Sequence, residues 1–146
     1  MTHGREKRLL LGALALLAPL PLPFNEVIGW GAFGLYAAAA VLFLHRAWRD
    51  DGSWLSFRAM NWLGLAYLPF LLADATVLWR GRPLPPLVHL AMFALIVKLF
   101  GLRREKDKWH AVFGVFFLFL AAMGSSVHPT VVLYLLAWTA LALYTL

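Results

Sequence analysis

Apolar positions fall into six long runs, at about 9–23, 27–44, 61–79, 84–100, 109–126 and 130–146, parted by short polar or proline-rich breaks. A helix needs roughly 17–25 apolar residues to cross a hydrocarbon core, and five of the runs approach or reach that length. The first is shorter. With no polar stretch long enough for a separate soluble unit, the pattern predicts one all-α fold, a polytopic bundle of about six transmembrane helices in a single domain, 1–146.

The breaks carry the finer expectations. Pro19, Pro21 and Pro23 remove amide donors, so the first helix should stop there and the chain run extended. Asn25 or Glu26 is placed to cap the second helix. Gly29, Gly31 and Gly34, followed by the alanines at 37–40, are small residues that let backbones approach closely in lipid. Between the second and third runs, Arg46, Arg49 and Arg58 alternate with Trp48, Trp54, Phe57 and Trp62, a mixture that suits the headgroup layer. Pro69 should kink the third helix or free a carbonyl.

Composition sharpens this picture. Hydrophobic residues make up 62% of the 146 positions and charged ones 14%, with a mean hydropathy of +0.75. Soluble chains run near 45–50% and about 25%, so too few polar residues exist to make a watery skin. There is no cysteine, which excludes disulfides, thiolate nucleophiles and zinc–thiolate sites. The net charge of +6 does not point to nucleic acid, because no basic helix face lies outside the loops. It favours anionic lipid instead, by about 1 kcal/mol per basic residue at the surface.

Charge also sets direction. Alternate breaks carry ten Lys and Arg on one side, including Arg103, Arg104, Lys106 and Lys108, against two, Arg80 and Arg82, on the other. The excess belongs in the cytoplasm, which places both termini there. A basic start before an apolar run is also the shape of a signal peptide. The small-residue triplet Ala13-Leu14-Ala15 lies inside the run rather than after it, and cleavage would leave the other five spans facing the same way.

Three polar residues sit inside spans. Asp74 and His89 should face each other across the hairpin of the third and fourth runs, with Arg80 and Arg82 in the loop between. They make either a structural clamp satisfied by those arginines or a proton-relay or substrate-binding pair. Lys98 lies near the cytoplasmic end, where its stem can snorkel to the headgroups. His45 and His110 at equal depth are the ligands a haem would need, although interfacial histidines are common. No HExxH occurs, Asp74 has no second acidic residue within a span, and Ser125, Ser126 and His128 crowd one turn, so intramembrane protease chemistry lacks its parts. No catalytic residue, metal site or cofactor is expected.

The segment Asp74…His89-Leu90-x-Met92-Phe93-x-Leu95-x-Val97-Lys98-Leu99-Phe100-x-x-Arg103-x-x-Lys106-Asp107 resembles the N-terminal membrane domain of bacterial TgpA-like proteins, themselves similar to protein-glutamine gamma-glutamyltransferases. The likeness runs from about Pro69 to Leu146, while the first half shares only general character. It implies about six N-terminal helices in the inner membrane, one further span, then an extracytoplasmic transglutaminase-like domain with a Cys-His-Asp triad. This sequence holds no cysteine and no such domain, so no catalytic residue carries over. The expectation is a non-catalytic anchor, either a piece of a longer reading frame or a stand-alone membrane module. Its partners would be the bilayer and a transglutaminase-like domain in the same or a neighbouring chain. The alternatives are a small transporter or channel subunit using Asp74, His89 and Lys98, and a haem-binding membrane protein.

Overall fold

Arg, Glu, Lys and Leu are strong helix formers, and the computed structural model begins its first helix among them, ahead of the apolar run. It describes residues 3–49, 55–78, 82–102, 105–125, 133 and 135–140. Every regular element among these is helical. The α-helices are α1 (His3–Leu17), α2 (Trp30–Trp48), α3 (Phe57–Ala73), α4 (Leu84–Phe100) and α5 (Glu105–Ser125). A π-helical segment, Asp74–Leu78, continues α3, and residues 133 and 135–140 are also helical. The fourth apolar run, at about 84–100, is occupied by α4. The sixth run otherwise lies outside the described residues.

Pro19 explains where α1 stops. With no N–H at that position, the carbonyl of Ala15 loses its helical donor, and the buried Tyr36 hydroxyl of α2 donates to it at 2.6 Å. The chain then departs from expectation. Instead of running extended, residues 18–26 coil through successive turns, Leu20 N–H reaching Leu17 O and Leu22 N–H reaching Pro19 O, both at 3.0 Å. Because the prolines alternate with ordinary residues, a donor survives between each pair. Ala18, Leu22, Val27 and Ile28 are buried, so the segment plugs one end of the bundle.

Two further expectations are corrected. The N-cap of α2 is Gly29, without a side-chain bond, whereas Glu26 occupies a left-handed turn at φ 55° and Asn25 Nδ2 donates to Ser125 Oγ at 3.4 Å. Nor do Gly29, Gly31 and Gly34 mark a close helix contact, since a Cβ on any of them would meet nothing. The close approach is at Gly12 of α1. A Cβ there would lie 2.7 Å from Leu44 Cδ2 and 3.0 Å from Phe43 Cδ1 of α2. Alanines at 15, 40 and 47 are buried and keep the same interface narrow.

Packing runs from α1 to α2, α2 to α4 and α4 to α5, and α1 also touches α5, which encloses the core. Leu14, Phe43, Met92, Leu95, Leu99, Val115 and Leu118 fill it. By contrast α3 leans on α4 and buries none of its own residues. Ser56 caps it, accepting from Ala59 N–H at 3.1 Å. Successive helices alternate in direction. Arg5 therefore lies over the Trp48 ring at 4.9 Å, and Leu55 N–H meets Phe100 O at 3.2 Å, both at one end. That end gathers the starts of α1, α3 and α5 and the ends of α2 and α4, hence nearly all the described basic residues. Arg82 stands at the other.

Outside the core the surface is apolar. Two described helical stretches, Phe57–Leu78 of 22 residues and Lys106–Ser125 of 20, are long and apolar enough to cross a membrane. Leu65, Leu72 and Val77 on the first, and Phe113 and Leu120 on the second, are among their exposed side chains. α4, at 17 residues, is apolar but shorter.

Candidate functional site

A proline and a widened turn bring the polar pair together. Pro69 cannot donate to the carbonyl four residues before it, and the helix relaxes into π geometry within two turns, from Asp74 to Leu78. Thr76 Oγ1 donates to Leu72 O at 2.6 Å across that transition. The turn carries the Asp74 carboxylate inward against α4, where the residue is 1% exposed. α4 starts with Pro83 as N-cap and Pro85 and Pro86 in its first turn, where their missing donors cost nothing.

His89 follows on α4, with its side chain 12% exposed and Nδ1 2.6 Å from Asp74 Oδ2. One proton lies between Nδ1 and Oδ2, and the outer ring nitrogen, Nε2, is free of this contact. Among the described residues Nε2 is buried without a hydrogen-bond partner, as are Asp74 Oδ1 and the Tyr67 hydroxyl. Such atoms cost about 1–3 kcal/mol each when left unsatisfied. Of the two loop arginines expected to satisfy Asp74, only Arg82 is described. Arg82 is exposed, Arg80 lies outside the described residues, and Oδ1 has no hydrogen-bond partner.

An apolar groove of about 400 Å³ lies beside the pair, between α2, α3 and α4. Leu35, Ala39, Tyr67, Phe70, Phe93 and Ile96 are among its walls, and His89 also lines it. Tyr67 and Phe93 stack at 4.1 Å and 7°, which holds α3 to α4 below the polar couple. The arrangement can clamp two helices and hold a proton between the carboxylate and the imidazole.

Lys98 does not join this site. It stands nine residues beyond His89 on one helix, about 14 Å of rise. It lines instead a separate cavity of about 460 Å³ with Lys106, Asp107 and His110, at the basic end. Asp107 and Lys108 are half-buried and each has an interaction partner, Lys106 is exposed, and Arg103 and Arg104 lie outside the described residues. His45 and His110 are both exposed. No group of three or more His, Cys, Asp or Glu that could hold a metal occurs among the described residues. Ser125 Oγ donates to Ala122 O at 2.9 Å, and Ser126 and His128 are outside the described residues.

Sequence reasoning missed three participants. Tyr67 was signalled by spacing: it precedes Asp74 by seven residues, which is one helical face. Tyr36 was signalled by the free carbonyl that Pro19 must leave at Ala15. Trp138, stacked on Phe119 at 4.1 Å and 13°, had no local signal. Comparison with protein-family models, curated proteins and solved structures returns no match to this chain.

Proposed function

We propose that the chain is a multi-pass membrane module of the bacterial inner membrane, with its basic end in the cytoplasm, that anchors an extracytoplasmic transglutaminase-like domain or partner and performs no chemistry itself. The observation that carries the membrane reading is the stretch Phe57–Leu78, whose most apolar window has only 6% of its residues buried. Leu63, Leu65, Leu68, Leu72, Val77 and Leu78 are exposed. At roughly 1.5–3 kcal/mol for each such side chain fully removed from water, their partial transfer to lipid stabilises the module by roughly 5–10 kcal/mol. The transglutaminase-like part rests on the Lys98-Leu99-Phe100…Arg103…Lys106-Asp107 pattern alone.

The natural absence of cysteine makes the test clean. Single cysteines at Lys7, Arg82 and Lys106 should all stay in the carbonate-resistant membrane fraction. An impermeant maleimide applied to intact cells should label only the one at Arg82. Release of the protein by carbonate sinks the membrane reading, and labelling at Lys7 or Lys106 sinks the orientation. For the anchor role, the coding sequence after Leu146 or a neighbouring gene should encode a domain with Cys, His and Asp. A stop codon without such a neighbour counts against it.

A second reading, a small transporter or channel subunit, is favoured by one observation: the buried, unpartnered outer atoms of the Asp74–His89 couple. Proton or substrate flux in liposomes that disappears in Asp74→Asn, with the variant still integrated, selects it over the anchor.

A further inference from the structure

We propose that the cavity between the start of α3, the end of α4 and the start of α5 is a binding site for the phosphate of an anionic glycerophospholipid. The proposal rests on the membrane reading, which puts this end of the bundle at headgroup depth. The cavity of about 460 Å³ has a fixed frame, because Leu55 N–H bonds Phe100 O at 3.2 Å and ties the chain entering α3 to the end of α4. Lys98 enters from the last turn of α4, and Lys106 and His110 enter one turn apart on α5. Four-residue spacing puts those two on one helical face.

Among the described residues neither Lys98 nor Lys106 has an ion-pair partner. Among the described wall residues the one carboxylate, Asp107, already has an interaction of its own. Two ammonium groups, one of them half-buried, therefore share a cavity with one engaged carboxylate, and an anion is the missing complement. The remaining walls decide its source. Phe57, 74% exposed, stands with Leu55 and Met60 around the same cavity. A free phosphate has no use for that apolar rim, whereas the glycerol and first methylenes of a lipid lie against it. The site thus differs from the diffuse attraction of a basic loop to a charged surface: it has a volume, two named cations and an apolar side.

The test is native mass spectrometry of the full chain released from nanodiscs of mixed phosphatidylglycerol and phosphatidylcholine. The wild-type protein should retain phosphatidylglycerol preferentially. Lys98→Met combined with Lys106→Gln should lower that preference about thirtyfold, about fivefold for each ammonium. Lys7→Gln combined with Arg8→Gln removes the same charge from the same end outside the cavity, beyond direct reach of the bound phosphate, and should lower the preference several-fold less. Equal losses in the two double variants would reduce the effect to bulk charge and overturn the site. Unchanged selectivity in the first would also overturn it. Displacement of the lipid by millimolar inorganic phosphate, with no lipid selectivity, would assign the cavity to a soluble anion. Every variant is first checked for carbonate-resistant integration, so that failure of the membrane reading shows as release, and failure of the lipid site as lost selectivity in an integrated protein.

Discussion

Replacing His89 by Leu tests whether the polar couple fastens α3 to the bundle. Asp74 is 1% exposed, Oδ2 has His89 Nδ1 at 2.6 Å, and Oδ1 has no hydrogen-bond partner. Removing the imidazole therefore strips the carboxylate of its one close partner, which costs about 3–5 kcal/mol for a buried pair broken on one side. The reverse change, Asp74→Leu, leaves the imidazole with Nδ1 unpaired and costs about 1–3 kcal/mol. The double variant Asp74→Leu/His89→Leu removes both polar groups and fills their space with apolar atoms. It should lie close to wild type, because apolar replacement of a whole buried pair is often neutral. The cycle then closes with a coupling of at least about 4 kcal/mol. Interhelical polar pairs in lipid average only about 0.6 kcal/mol, and the short contact and deep burial are the reasons to expect more here. The assay is reversible unfolding in mixed micelles by SDS titration, read by circular dichroism. Additivity of the two single changes within about 0.5 kcal/mol would refute the clamp, since independent sites add to that accuracy.

Tyr36→Phe removes the hydroxyl that donates to Ala15 O at 2.6 Å and leaves the carbonyl next to Pro19 without that donor; a loss of about 1–2 kcal/mol is expected in the same titration. Gly12→Val places its Cβ 2.7 Å from Leu44 Cδ2 and should force α1 away from α2 at a cost of about 1–3 kcal/mol, whereas Gly34→Val meets nothing and should cost less than about 1 kcal/mol. Trp138→Phe keeps a ring against Phe119 and removes a buried N–H that has no partner, so it should stay within about 1 kcal/mol of wild type, while Trp138→Ala should lose about 3–5 kcal/mol. If Trp138→Phe proves as damaging as Trp138→Ala in thermal melts, the stack is not what holds residues 135–140.

What the sequence makes legible, and what it does not, divides along physical lines. Helix positions are legible where a single local cause acts, as at α4, whose proline-rich start and Gly101 end bracket an apolar run. The facing of Asp74 and His89 follows from hairpin geometry, because each stands about as far from the connecting turn as the other. The place of α1 against α2 is not legible. Gly12 is one of several glycines in the first half, and only the positions of Leu44 and Phe43 show that its missing Cβ matters while that of Gly34 does not. The proline segment fails for another reason. Three lost donors argue for extension, yet alternate positions keep theirs, and the N–H groups of Leu20 and Leu22 each find a carbonyl behind them.

Lys98 completes the contrast, because its separation from the pair follows from residue spacing alone. Nine residues of helix put the Lys98 backbone about 14 Å from that of His89 along the axis. A lysine side chain extends about 6 Å and leans towards the helix start, which still leaves several ångströms. A direct three-residue relay through Asp74, His89 and Lys98 is therefore closed on arithmetic, and intervening water would have to bridge it. The same arithmetic run forwards joins Lys98 to Lys106. The stretch between them includes the helix end at Gly101, so the chain turns back and α5 starts beside α4. A lysine that looks isolated within a span thus lines one cavity with Lys106, Asp107 and His110 from the charge run and the helix that follows it.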